Sequence, residues 1–251
     1  MSDAATARCR TVFQPIVDAD TGAAIAFQAR VAEADTGGDP EARDRRRYAA
    51  AFAAVAEAGL ERSDALLALP LLSHGDPQRQ VATLFRAALA HRLPTERLLL
   101  EISAGSRDDP REATALMEAC ASRGLEIVID GFAAAPASLR QLARFAPRFV
   151  KLDPALTRNI DRSLPRQMIA EGVVRLARTM GVTLIAQDVA SRGELATLYA
   201  LGIKHLQSHW IAPAVTEAQL PSRLGRQRGE PRITRAPRPG DARPALHALA
   251  G

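Results

Sequence analysis

Aromatic side chains are scarce in this chain: 4% of its 251 residues, with a single tryptophan. A core short of aromatics must be filled by aliphatics and alanine. The hydrophobic fraction of 47% supplies them, as in a helix-rich α/β protein. Cysteine is nearly absent. Cys9 and Cys120 have no metal-ligand spacing and neither adjoins a histidine, so both are read as reduced thiols of a cytoplasmic protein. No apolar run approaches the roughly 20 residues that cross a bilayer. The opening MSDAATARCR has no apolar signal region, and no membrane contact is expected.

Charge imbalance is also missing, except at one end. Residues 222–251 carry seven arginines against Glu230 and Asp241, which equals the formal net charge of +5 for the whole chain. The remainder therefore balances to zero. A segment rich in Pro, Gly and Arg buries no core and reads as a disordered, solubilising tail. Nucleic-acid contact by this tail is only weakly indicated, because no aromatics accompany the arginines. Residues 1–10 read as an N-terminal extension and 11–221 as one domain.

Within that domain, short apolar runs alternate with helical stretches. Thr11–Val17 and Ala23–Val31 form strands around a turn at Asp20–Gly22, and Leu66–Leu72 is a third, though Pro70 is unfavourable inside a central strand. Leu98–Ile102, Leu125–Ile129, Phe149–Leu152, Val182–Ala186 and Ile203–Gln207 complete the strands. Helices are expected over Glu41–Gly59, Pro77–Arg92, Arg111–Arg123, Ala137–Phe145, Pro165–Met180 and Glu194–Leu201. Alternation of this kind gives an α/β fold, a mostly parallel barrel with one antiparallel opening strand. Asp130 and Lys151 fall at strand ends, where barrels of this kind place chemical groups.

The ordered anchors QPI (Gln14–Ile16), FQAR (Phe27–Arg30), LLLEI (Leu98–Ile102), IDGF (Ile129–Phe132), VKLD (Val150–Asp153), IAQDV (Ile185–Val189) and LQSHWIAP (Leu206–Pro213) resemble those of EAL domains, as does AEAGL (Ala56–Leu60). The resemblance covers about residues 11–215. It implies a modified TIM-like (β/α)8 barrel of EAL type with an antiparallel first strand. Active members hydrolyse cyclic di-GMP to linear pGpG with two Mg²⁺ or Mn²⁺ ions. Such chemistry needs carboxylates around ions about 4 Å apart.

Position by position, Glu101 and Asp130 match family metal ligands, and Lys151 matches the lysine near the nucleophilic water. The other positions have changed. The signature glutamate is Gln28, the second aspartate of the DDFG pattern is Gly131, and the glutamate of the AEGVE pattern is Gln187, followed by Asp188 where glycine is usual. The second glutamate of that pattern, which braces a catalytic loop, is Ala190. The asparagine ligand expected near Leu66–Leu72 is missing, since the only asparagine is Asn159. Two carboxylates cannot hold a functional pair of divalent ions, so no catalytic residues, no metal site and no cofactor are expected. Lys151 is expected to pair with Asp130 or Glu101.

Gln14 and Gln207 match positions that line the ligand pocket in the family, and Gln28 lies between them. The arginine that clamps a phosphate there is Ala32 here, whereas Arg30 shares a face with residue 28 and offers a substitute cation or fills the pocket. His205, His209 and Asp153 are read as structural or surface groups, Asp153 as a cap. Three readings follow from the resemblance. The first is an inactive EAL-like domain that regulates bacterial signalling, of the motility or biofilm type, through a protein partner. The second is a metal-independent receptor for cyclic di-GMP. The third and least favoured is an active phosphodiesterase with unusual ligands. The resemblance leaves a homodimer open and names no partner, and no sensory domain is expected.

Overall fold

The computed structural model describes residues 10–32, 39–72, 75–103, 109–133 and 136–225. The chain opens with an antiparallel hairpin, β1 (Arg10–Asp18) and β2 (Ala24–Ala32). Its turn is held by Asp18, whose carboxylate accepts from the Thr21 N–H at 2.8 Å, with Gly22 in the left-handed region at φ 69°. Helix α1 (Pro40–Glu57) and strand β3 (Leu66–Leu71) follow. Next come α2 (Pro77–Ala90), β4 (Leu98–Ser103), α3 (Pro110–Ala121), β5 (Glu126–Phe132) and α4 (Pro136–Phe145). Strand β6 (Phe149–Leu152) leads into the short α5 (Pro154–Thr157) and the long α6 (Leu164–Met180). The chain then runs through β7 (Thr183–Gln187), α7 (Arg192–Ala200), β8 (His205–Gln207), β9 (Val215–Thr216) and α8 (Leu220–Gly225).

Strands β2 to β8 pair in sequence order and in parallel, and β1 closes the circle by pairing antiparallel with both β2 and β8. The result is the expected eight-stranded barrel with an antiparallel first strand; β9 pairs with β1 at Val12 and Phe13, on the same edge of β1 that β8 joins at Val17 and Asp18. Four helices begin with Asp-Pro. In each the aspartate accepts a backbone N–H of the first turn: Asp39 from Glu41 and Ala42, Asp76 from Gln78, Asp109 from Arg111 and Asp153 from Ala155. The proline has no N–H to satisfy there and its fixed φ suits the first helical position. Asp153 is thus the cap its position predicts.

Pro70 does lie within β3, contrary to the expectation for a central strand. The register with β2 ends at Gln28↔Ala68, two residues before the ring, and beyond that point β3 pairs only with β4. Strand β5 also runs further than its apolar residues indicate. It passes through Asp130 and Gly131 by a bulge, the register with β6 slipping between Ile129 and Phe132, and Gly131 takes φ 71°.

The barrel interior is a small apolar layer of Ile16, Ala26, Ala68, Leu99, Val128, Phe149 and Ile185. The alanines on β2 and β3 leave room for the Phe149 ring. A larger core fills the space between the strands and the surrounding helices, and Leu220 and Leu224 of α8 are buried in it. Residues 1–9 and 226–251, which carry Cys9 and most of the basic tail, lie outside the described residues.

Candidate functional site

Side chains alternate faces along a strand, so the residues two steps beyond the apolar layer point inward too, nearer the barrel mouth. Those residues are Gln14, Gln28, Pro70, Glu101, Asp130, Lys151, Gln187 and Gln207. Seven of the sequence-derived site residues, all but Arg30, Gly131 and Ala190, are therefore brought together as one polar layer. On β3 the layer is occupied by Pro70, paired in register with Glu101, so that strand offers it no side-chain ligand.

At its centre Lys151, with no exposed surface, forms an ion pair with Glu101, itself 2% exposed. The second oxygen of Glu101 accepts from the Gln28 amide at 2.5 Å. Two carboxylates at that separation would repel unless a proton or a cation lay between them. The amide removes the conflict by donating. The Gln28 carbonyl oxygen in turn accepts from Gln207 Nε2 at 2.8 Å and from Arg30 Nε at 2.9 Å. Gln14 is buried and donates to the Ala212 carbonyl at 2.5 Å, which ties β1 to the segment after β8.

Asp130 is engaged separately. Its Oδ1 accepts from Gln187 Nε2 at 2.7 Å and from the Gly131 N–H at 2.9 Å. Of the two partners open to Lys151 on sequence grounds, the lysine takes Glu101 and leaves Asp130 to an amide. Arg30 is exposed at the mouth and has no ion pair with any described residue. It does not fill the interior.

Glu194 has a role that the sequence reading missed. It is 4% exposed, and its two carboxylate oxygens accept the backbone N–H groups of Asn159 and Ala190, each at 2.7 Å. Glu194 thereby ties the loop after β7, at Ala190, to the segment after α5, at Asn159. The signal was Ser191-x-x-Glu194. Its serine does accept the Glu194 N–H at 3.1 Å, but the glutamate reaches past the serine to residue 190. Asp188 takes a left-handed conformation with φ 54° and pairs with Arg158 at 3.8 Å. Aspartate tolerates that region better than most side chains.

The donor set does not fit a pair of divalent ions. Both carboxylates of the layer are held by nitrogen donors, and among the described residues no three His, Cys, Asp or Glu side chains converge as a cation needs. The buried Cys120 thiol, pushed up to about 12 by burial, is no metal ligand in this state. His205 lies at the other end of β8 and His209 is exposed, so the two share no site. Among the described residues no helix is long and apolar enough to cross a membrane.

The sequence profile of the EAL domain matches residues 2–214. BluF, the blue light- and temperature-regulated antirepressor of Escherichia coli strain K12, is 28% identical over 217 residues, covering 80% of this chain and 53% of BluF. PdeR, a cyclic di-GMP phosphodiesterase of the same organism, is 31% identical over 106 residues, 41% of this chain and 16% of PdeR. The chain thus spans about half of BluF and a much smaller share of PdeR. A standalone versatile EAL protein from Vibrio cholerae O395, solved with cyclic di-GMP bound, superposes with a TM-score of 0.72 at 25% identity, over 85% of this chain and 95% of that one. BlrP1 of Klebsiella pneumoniae, in complex with manganese and cyclic di-GMP, gives 0.72 at 26% identity, over 86% of this chain and 58% of BlrP1. With the profile spanning most of the chain and the barrel matching throughout, this protein belongs to the EAL domain family.

Proposed function

We propose that this chain is an EAL domain that does not hydrolyse cyclic di-GMP and that acts as a regulatory module through contact with a protein partner. The observation that carries this reading is the buried Lys151–Glu101 pair, with Gln28 on the other oxygen of the same carboxylate. Two-metal hydrolysis requires acidic ligands free to bind cations and a water activated between them. Here an ammonium and an amide hold the same oxygens. BluF, similar over most of this chain, is an antirepressor, which supports a regulatory reading. The test is incubation of the purified protein with cyclic di-GMP and Mn²⁺, with pGpG followed by chromatography. No product above buffer is expected; turnover at the rate of an active EAL control overturns the proposal.

The mouth favours a second reading, a receptor that binds cyclic di-GMP without metal. Arg30 is exposed there, with its Nε on the Gln28 oxygen that Gln207 also reaches and no ion pair with any described residue. The Vibrio and Klebsiella proteins were both solved with this nucleotide. Calorimetric titration with Mg²⁺ and again with EDTA separates the readings. Equal heats in both identify a receptor, with loss of binding in Arg30→Ala. Silence in both leaves the partner-binding module alone.

A further inference from the structure

Helix α6 is apolar on two sides. Ala170, Val174 and Ala177 are buried and seat it on the barrel. The opposite side, which a surface helix ordinarily gives to polar residues, carries Leu164, Met168 and Ile169, exposed at 67%, 62% and 54%. Six large apolar side chains are exposed among the described residues, and three of the six fall in the first two turns of this one helix. Scattered singly, such side chains need no explanation; gathered on one face, they mark a contact.

Gly172 stands one turn beyond Met168 on the same side of the helix. Glycine is the poorest helix former after proline, yet it occupies the middle of a helix of 17 residues. Nothing within the chain calls for it there, since a Cβ added at Gly172 would meet no atom within 4 Å. The outer face of α6 therefore holds a projection, Met168, and a recess, Gly172, one turn apart. A surface that carries both is complementary to itself. A two-fold axis passing between positions 168 and 172 sets two α6 helices antiparallel, with Met168 of each copy over Gly172 of the other. The same axis brings Leu164 of one copy beside the half-buried Leu176 of the other. A partner of unrelated sequence gives no reason for projection and recess to occur on one helix. Arg175 and Arg178 lie toward the C-terminal end, where helices crossing at about 50° have separated and long side chains reach water.

We propose that this face of α6 joins two copies of the chain in a symmetric dimer, with the crossing at Gly172. A homodimer, which the sequence leaves open, is thereby given a face and a contact. It stands apart from the function proposed above, because α6 lies outside the barrel and takes no part in the polar layer.

The test is sedimentation of the full chain over a range of concentrations. The weight-average mass is expected to rise from that of one chain, 26.9 kDa, toward twice that value. Met168→Glu places a charge in the contact and should raise the dissociation constant at least about tenfold. Gly172→Leu should do the same by filling the recess, although leucine is the better helix former. Measured at a dilution where the wild type is monomeric, the thermal midpoint of Gly172→Leu should be unchanged or raised, so that a lost dimer is not a damaged fold. Leu89→Glu removes the most exposed of the six side chains, on α2, and should leave association unchanged. A chain that stays monomeric at every concentration overturns the proposal. So does a dimer indifferent to Met168→Glu or to Gly172→Leu, which would place the contact elsewhere. Equal weakening by Leu89→Glu overturns it too, because the association would then have no particular face.

Discussion

Lys151 has no exposed surface, and a buried ammonium persists only beside an anion. Glu101 supplies that anion, so neither member tolerates loss of the other. Lys151→Met is expected to destabilise the fold by about 3–5 kcal/mol, because it leaves a carboxylate buried and unpaired. Adding Glu101→Gln should restore most of the loss, since an amide needs no counter-charge. Urea denaturation of the two variants checks this; equal destabilisation in both would show that packing and not charge is at stake. Both residues were legible in the sequence as survivors of a metal-binding set. Which acid the lysine chooses was not, because that depends on how far each strand has advanced when it reaches the polar layer. Glu194 was illegible for a related reason. Its neighbours in sequence mark it as an ordinary helix-start residue, and only the approach of Asn159 from another loop gives it a second amide to hold.

Among the elements, strand order, helix order and barrel closure could be read from the alternation of apolar runs with helical stretches. The four Asp-Pro pairs would have fixed helix starts to the residue. The bulge in β5 could not be read, since Ile-Asp-Gly-Phe looks like a strand that ends, and only the pairing with β6 shows that it resumes at Phe132↔Leu152. Gly131 is the residue that makes the bulge possible. At φ 71° a side chain is strained even though space is open, the nearest atom to an added Cβ being Asp153 Oδ2 at 3.7 Å. Gly131→Ala is expected to lower stability by about 1–2 kcal/mol, read as a drop in the thermal midpoint. An unchanged midpoint would mean that the bulge relaxes. The same backbone bears on any attempt to return the family's aspartate to this position. The new carboxylate would start from a left-handed residue, beside an Asp130 already committed to Gln187.

For the molecule as a whole, closure depends on a short seam. Strands β1 and β8 meet through two register pairs only, Val17↔Leu206 and Asp18↔His205. His205 has Asp18 Oδ2 3.6 Å from its Nε2. Burial lowers its pKa below the ordinary 6.5, opposed by the charges of Asp18 and Asp20 and assisted by Lys204. The folded protein therefore resists protonation at this ring more than the unfolded chain does. The contribution of His205 is complete above pH 6.5 and is lost as the pH falls from there toward the folded value. Wild type is expected to lose more stability than His205→Gln between about pH 7.5 and pH 5.5, as seen by denaturation at both. Parallel behaviour of the two proteins would absolve the seam. At the opposite end of the barrel, Lys151 brings a last consequence. A dissolved ion neutralises a carboxylate only in proportion to its concentration and can be stripped by a chelator, whereas a cation tethered to the chain is present at full strength wherever the chain is. On the function proposed above, the maturation of this barrel is uncoupled from the supply of divalent metal in its surroundings.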